Sequence, residues 1–338
     1  MELLCGGLND PECTIKKLKL HVEILSESGS RHLADIFRRN HRLIELELSF
    51  KSPDDKTMEL LCGGLNDPEC TIKKLKISGE SLSESCSRHL AEVFRGNQSL
   101  RHLELTLKNS NEKTMGLLYE GLKHPECKIE TLQLHKRILS ESCSRHLAEI
   151  FKRNQRLRTL SLSLNKPDDQ SMLELCKVLK QPQCTIETLW LHVEIELDLS
   201  ICPDDKTMEL LCGGLNDPEC TIKKLKLHVE ILSESGSRHL ADIFRRNHRL
   251  IELELSFKSP DDKTMELLCG GLNDPECTIK KLKISGESLS ESCSRHLAEI
   301  FRGNQSLLEL TLKNSNEKTM GLLYEGLKHP ECKIETLQ

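Results

Sequence analysis

Aromatic residues are scarce in this chain: seven Phe, two Tyr and one Trp make up 3% of 338 residues. A core of any size must therefore be aliphatic, built mostly from leucine. Concentrated charge of one sign is also missing. The formal net charge is −5 with 30% charged residues, which lacks the dense basic surface that phosphate backbones require, so no nucleic-acid partner is expected. No apolar run approaches the roughly 20 residues of a membrane-spanning helix. The opening MELLCGGLNDPEC has no basic segment followed by an apolar one, so neither membrane contact nor secretion is expected. Sixteen cysteines in such a chain read as reduced thiols of a cytoplasmic protein rather than a disulfide framework. A phosphate loop of the form GxxxxGKS or GxxxxGKT is absent too, which removes nucleotide hydrolysis of that kind.

What is present is repetition. MELLCGGL at Met1 returns at Met58, then as MGLLYEGL at Met115 and MLELCKVL at Met172, a period of 57 residues. The phrase comes back at Met208, Met265 and Met320. Each period splits into two shorter repeats, one centred on IKKLKL (Ile15 to Leu20) and one on LIELEL (Leu43 to Leu48). In IKKLKL, Leu18 and Leu20 alternate with Lys17 and Lys19, the pattern of a strand with one buried face. Farther on, Met58, Leu61 and Leu65 fall on one face of a helix, with Asp54 or Asp55 where an N-cap belongs. The other half places Leu33, Ile36 and Phe37 on a helical face, with Ser26 or Ser28 as its cap. Strand, turn and helix in steady succession predict an α/β horseshoe solenoid. Parallel strands line its concave face, helices line its convex face, and it closes on neither side.

The paired repeats of about 28 and 29 residues carry PECKIETLQL (Pro125 to Leu134) and LLCGGLNDPEC (Leu60 to Cys70). They resemble ribonuclease-inhibitor-type leucine-rich repeats, and most of all the C-terminal repeats of the NLRP proteins (NACHT, leucine-rich repeat and pyrin domain). The resemblance covers essentially the whole chain. It implies a cytosolic, non-catalytic protein-interaction module of innate immunity and inflammasome sensing, acting as the ligand-sensing or autoinhibitory region of its parent. The alternative within the fold is an inhibitor of secreted ribonucleases. Its cationic target would call for a dense acidic, aromatic-rich surface, and interleaved lysines with one Trp count against that. The family usually places Asn or Cys three residues after the last strand leucine. Here Glu23, Lys51, Lys108 and Glu230 stand there, with Asn165 as the exception, which predicts looser turns.

Two irregularities stand out. Residues 1–100 recur at 208–307 with Ile300 in place of Val93. The spacing also fails once, between Met172 and Met208, which are 36 residues apart instead of 57. There LHVEI (Leu191 to Ile195) runs straight into ELDLS (Glu196 to Ser200), so a crossover helix is missing. The expectation is one repeat domain over 1–338, uncapped at both ends, with an irregular junction at 190–206. That junction separates repeats 1–189 from repeats 207–338, and the solenoid is kinked or interrupted between Trp190 and Pro203. Met1 falls within a helix and Gln338 within a strand, so a nonfunctional fragment is a further reading.

No residue stands in a catalytic pattern. Cys5/Cys13, Cys62/Cys70, Cys176/Cys184, Cys212/Cys220 and Cys269/Cys277 are eight apart once per period, forming a column of core thiols rather than a converging zinc site. Tyr119 and Tyr324 replace the first member in two units, which a ligand would not tolerate. His32, His89, His146, His239 and His296 share one helical position and read as solvated. The Asp54–Asp55, Asp168–Asp169, Asp204–Asp205 and Asp261–Asp262 pairs read as caps. Asn97-Gln98-Ser99 and Asn304-Gln305-Ser306 match a glycosylation sequon that a cytosolic chain does not use. No cofactor, metal or small-molecule substrate is expected. The concave face carries opposed stripes: Lys17/Lys19, Glu45/Glu47, Lys74/Lys76, His102/Glu104, then Lys224/Lys226, Glu252/Glu254 and Lys281/Lys283. Between them lies an uncharged stretch of Thr131, Gln133, Thr159, Ser161, Thr188 and Trp190, edged by His135 and His192. The lone Trp amid neutral groups marks it as the expected contact for a protein partner.

Overall fold

The computed structural model describes residues 6–10, 12–22, 26–109, 111–137, 141–165, 169–194, 205–229, 231–258, 260–286, 290–313 and 317–338. Among them strand and helix alternate throughout. The order is β1 (Lys17–Val22), α1 (Glu27–Arg39), β2 (Glu45–Phe50), α2 (Asp55–Leu65), β3 (Lys74–Gly79), α3 (Glu84–Gly96), β4 (His102–Leu107), α4 (Glu112–Leu122), β5 (Thr131–Arg137), α5 (Glu141–Arg153) and β6 (Thr159–Asn165). It continues with α6 (Asp169–Leu179), β7 (Thr188–Glu194), α7 (Asp205–Leu215), β8 (Lys224–Val229), α8 (Glu234–Arg246), β9 (Glu252–Ser256), α9 (Asp262–Leu272), β10 (Lys281–Ser285), α10 (Glu291–Gly303), β11 (Glu309–Lys313), α11 (Glu317–Leu327) and β12 (Thr336–Leu337). Strand order is chain order, and the paired strands are parallel. Two compact units divide the chain, one of residues 1–137 and 142–162, the other of residues 138–141 and 163–338.

Period two decides the sheet. Leu46 and Leu48 are 1% exposed while Glu45 and Glu47 face out. In-register neighbours extend each leucine into a row: Leu18, Leu46, Leu75, Leu103 and Leu132 in the first unit. Helices begin where a short polar side chain can catch a free backbone N–H. Asp54 Oδ1 accepts from Thr57 N at 2.8 Å, and Asp261 does the same for Thr264 at 2.7 Å. Ser26, not Ser28, caps α1 through Gly29 N. Asp55, Asp169 and Asp262 open their helices, where a carboxylate complements the helix dipole.

Of the turns expected to be looser, those at Glu23 and Glu230 lie outside the described residues; a clamp stands at another place. Asn40, Asn97, Asn154, Asn247 and Asn304 follow the 13-residue helices and are all buried. Each donates from Nδ2 to a leucine carbonyl 32 residues earlier, as Asn154 does to Leu122 at 3.1 Å. Its Oδ1 accepts two backbone N–H groups ahead, those of Arg42 and Leu43 for Asn40, both at 3.0 Å. One amide thus satisfies a helix end and the entry to the next strand, groups that are costly to leave bare.

Helix spacing is set by glycine. A Cβ on Gly64 would lie 2.6 Å from Ala34 Cα, and one on Gly121 would press on the Ala91 oxygen. Neighbouring helices approach backbone to backbone there.

The short repeat does not break the sheet. β7 pairs with β8 residue for residue from Thr188↔Lys224 to Val193↔Val229, and α7 packs on α6. The expected boundary at 190–206 thus falls inside the second unit, although residues 195–204 lie outside the described ones. A repeat needs one strand and one helix, and β7 with α7 supplies both. Two 11-residue helices become consecutive, so Gly214 meets Cys176 Cβ at 2.9 Å where its counterparts meet alanine. In β11 the register differs from β4. Glu309 aligns with Lys281 and Leu310 with Leu282, because Arg101 and His102 have no counterpart between Leu307 and Leu308. The slip is two residues, so inward leucines stay inward.

Asn97→Ala is expected to cost about 2–4 kcal/mol in urea unfolding, since an orphaned carbonyl and two N–H groups remain buried. Gly64→Ala is expected to cost about 1–3 kcal/mol through the clash with Ala34. Gly63→Ala, with only the end of Arg38 near, is expected to be neutral or stabilising by up to about 1 kcal/mol.

Candidate protein-binding face

The outward side chains of the strands form ion-pair ladders, because equivalent positions on parallel neighbours stand side by side. In the first unit Lys17 reaches Glu45 at 3.1 Å, Lys19 reaches Glu47 at 2.9 Å, and Lys76 reaches Glu104 at 2.8 Å. Glu104 also faces His135 Nε2 at 3.4 Å. In the second unit Lys224 pairs with Glu252, and Lys281 with Glu309 at 2.9 Å. Glu254 bridges two strands, meeting Lys226 at 2.8 Å and Lys283 at 2.6 Å. Burial pushes the Glu254 carboxyl up, but the two ammonium groups outweigh it and hold it below the usual carboxylate range. The hydrogen bond from Lys17 lowers Glu45, and that from Lys19 lowers Glu47. The predicted stripes are thus largely mutually satisfied pairs, although Lys74 and His102 make no ion pair among the described residues.

The uncharged residues are distributed over both units. Thr131, Gln133 and His135 lie on β5 and Thr159 and Ser161 on β6, all in the first unit. The start of β6 adjoins β5, with Thr159 N donating to the Glu130 oxygen at 3.0 Å. Ser161 is buried at 8% exposure, a small side chain covered by its larger neighbours, and offers little to a partner. Thr188, Trp190 and His192 lie on β7 in the second unit, all half-buried.

Trp190 is the singular feature. Lys226 Nζ sits 4.1 Å above the centre of its ring, a cation–π contact. Its indole Nε1 is buried and has no acceptor among the described residues. Beside it the rings of His192 and His228 stack at 4.3 Å and 12°. Sequence spacing alone shows neither neighbour, since Lys226 and His228 lie 36 residues downstream and reach β7 only through the short repeat. Elsewhere this row sets His21 against Ser49.

The structural positions behave as columns. Among the described residues the cysteines are free thiols, buried except for Cys13 and Cys332. Burial pushes the Cys176 thiol up to about 12 and that of Cys220 up to about 11. Tyr119 is buried in the same column, its hydroxyl 3.0 Å from Cys143 Sγ. The helix histidines are half-buried rather than solvated. His146 lies against the Tyr119 ring at 5.2 Å, and burial lowers its pKa from the ordinary value. Both sequon asparagines, Asn97 and Asn304, are clamp residues with bonded amides. No group of three potential metal-ligating side chains converges among the described residues, and no described helix is long and apolar enough to cross a membrane.

Ordered strands with leucine rows, helical crossovers and buried asparagine clamps define a leucine-rich-repeat solenoid. No family model matches the chain. Over its full length it is 31% identical to NACHT, LRR and PYD domains-containing protein 12 of Mus musculus and of Homo sapiens, covering 29% of each. It is 30% identical to the ribonuclease inhibitor of Sus scrofa, covering all of this chain and 66% of that one. Its homologues over the whole chain are therefore NLRP proteins and ribonuclease inhibitors, with which it shares leucine-rich repeats, and it spans less than two thirds of these relatives. The fold is shared with the leucine-rich-repeat protein LegL7 of Legionella pneumophila, with a TM-score of 0.52 at 12% identity over 97% of this chain and 96% of that one.

Glu254→Gln is expected to cost about 1 kcal/mol at neutral pH. A lowered carboxyl stabilises the fold above its unfolded pKa and loses that contribution as pH falls through the folded one. The gap between variant and parent in urea unfolding should therefore close below about pH 4. Alkylation under native, mildly alkaline conditions should label Cys13 and Cys332 well before Cys176 or Cys212, as read by peptide mass mapping.

Proposed function

We propose that this chain is a non-catalytic protein-binding module, the repeat region of an NLRP-like cytoplasmic sensor that recognises a protein or holds its parent inactive. The observation that carries this over a ribonuclease-inhibitor role is the state of the outward acids. Glu45, Glu47, Glu104, Glu252, Glu254 and Glu309 are each already engaged by a lysine. A strongly cationic ribonuclease would have to displace those lysines before gaining any attraction of its own. In the second unit the partner contact centres on Trp190, with Thr188 and His192. Its large ring and unsatisfied Nε1 suit a contact that supplies an acceptor. Thr131, Gln133 and Thr159, edged by His135, are the contacts proposed for the first unit, with Ser161 beneath them.

The test is titration of the folded chain, verified by circular dichroism under reducing conditions, into a pancreatic-type ribonuclease. No inhibition at stoichiometric amounts is expected. Stoichiometric inhibition would overturn the sensor reading in favour of the inhibitor. A chain that cannot be folded would favour the nonfunctional fragment.

A further inference from the structure

Lys51 and Lys108, which stand where the family usually places asparagine, acquire a different setting in the structure. They line a hollow of about 280 Å³ at the carboxyl ends of β1 to β4, in the first unit. Strand register explains the hollow. One row across the sheet is small and polar, running His21, Ser49, Ser78 and Thr106. The next row places Gly79 between Phe50 and Leu107. A Cβ at Gly79 would lie 3.0 Å from the Phe50 oxygen, so the middle of the floor carries no side chain. Lys51, Glu80 and Lys108 then leave three successive strands around this gap.

We propose that this hollow is an oxyanion-binding site, taking a phosphoryl or carboxylate group between Lys51 and Lys108. On the same strands Lys17, Lys19 and Lys76 are each held by a glutamate, while Lys74, at the opposite end of β3 from the hollow, makes no ion pair among the described residues. Lys51 and Lys108 make no ion pair among the described residues, although Glu80 leaves the strand between them. Two uncommitted ammonium groups flank hydroxyls that are already organised, with Ser49 Oγ and Ser78 Oγ 2.6 Å apart. One proton of that pair bonds within it and the other is available to an anion. Glu80 leaves the lining with a net charge of one positive, which suits a single oxyanion and opposes a polyanion. Among the described residues the repeated copy is arranged differently. The two-residue slip of β11 moves Lys313, the counterpart of Lys108 in sequence, into the sheet opposite Ser285. This site does not depend on the sensor reading, nor on Trp190.

The experiment is amide chemical-shift titration of the full chain with inorganic phosphate and, separately, acetate, at ionic strength held constant with sodium chloride. Saturable shifts at Gly79 and Glu80 are expected, weakened at least about tenfold in Lys51→Gln/Lys108→Gln and retained in Lys258→Gln/Lys313→Gln, a change of equal charge in the other copy. Glu80→Gln should tighten binding. Saturation by phosphate alone assigns a phosphoryl ligand, and saturation by acetate alone a carboxylate. Absence of saturable shifts with either anion overturns the proposal, as does equal weakening in both double variants, which would mean general surface charge. Thermal unfolding of each variant checks that the fold is intact.

Discussion

Every repeat must pass the chain from a buried helix end to a buried strand start, where backbone polar groups have no water to meet them. Asn40, Asn97, Asn154, Asn247 and Asn304 resolve this in alternate repeats by bonding back to a leucine carbonyl 32 residues earlier and forward to the coming strand. In the intervening repeats a threonine does related work. Thr71 Oγ1 donates to the Asn40 and Leu43 oxygens, and Thr278 to those of Asn247 and Leu250. With that handover fixed, the leucine rows fall in register and the outward charges face one another. The outward face of the strands is thus aligned by groups that never reach it.

The short repeat shows how local this logic is. Thr221 finds the Cys184 and Ile186 oxygens in place of the asparagine-linked pair, and Gly214 packs on Cys176 in place of an alanine. Stability in such arrays is close to a sum of neighbour contacts, so one altered junction is repaired by its immediate surroundings.

Period-two and helical spacing made Leu46, Leu48, Met58, Leu61 and the cap Asp54 readable from sequence, since each answers to neighbours a few residues away. The lysine and glutamate stripes were readable for the same reason, once strands were placed side by side. The clamp asparagines were not, because attention to the position after the strand overlooks the one before it, and their partners lie 32 residues back. The half-buried state of the helix histidines depends on the adjoining helix. The surroundings of Trp190 depend on which strand follows β7, and sequence spacing there suggested an interruption. Ser161 looked outward by alternation and proved covered, because alternation gives a side chain its direction but not the height of its neighbours.

The slip of β11 carries a wider consequence. A strand that loses two residues keeps its leucines inward and merely exchanges its outward partners, so Glu309 meets Lys281 where His102 meets Lys74. Losing one residue would turn the whole strand inside out. Change of length in this architecture is therefore quantised. A descendant of such a chain can shed a pair of residues from a strand, or a complete strand with its helix, and remain foldable. Either step re-deals the outward charges while the interior stays as it was, which lets recognition diverge faster than the scaffold beneath it.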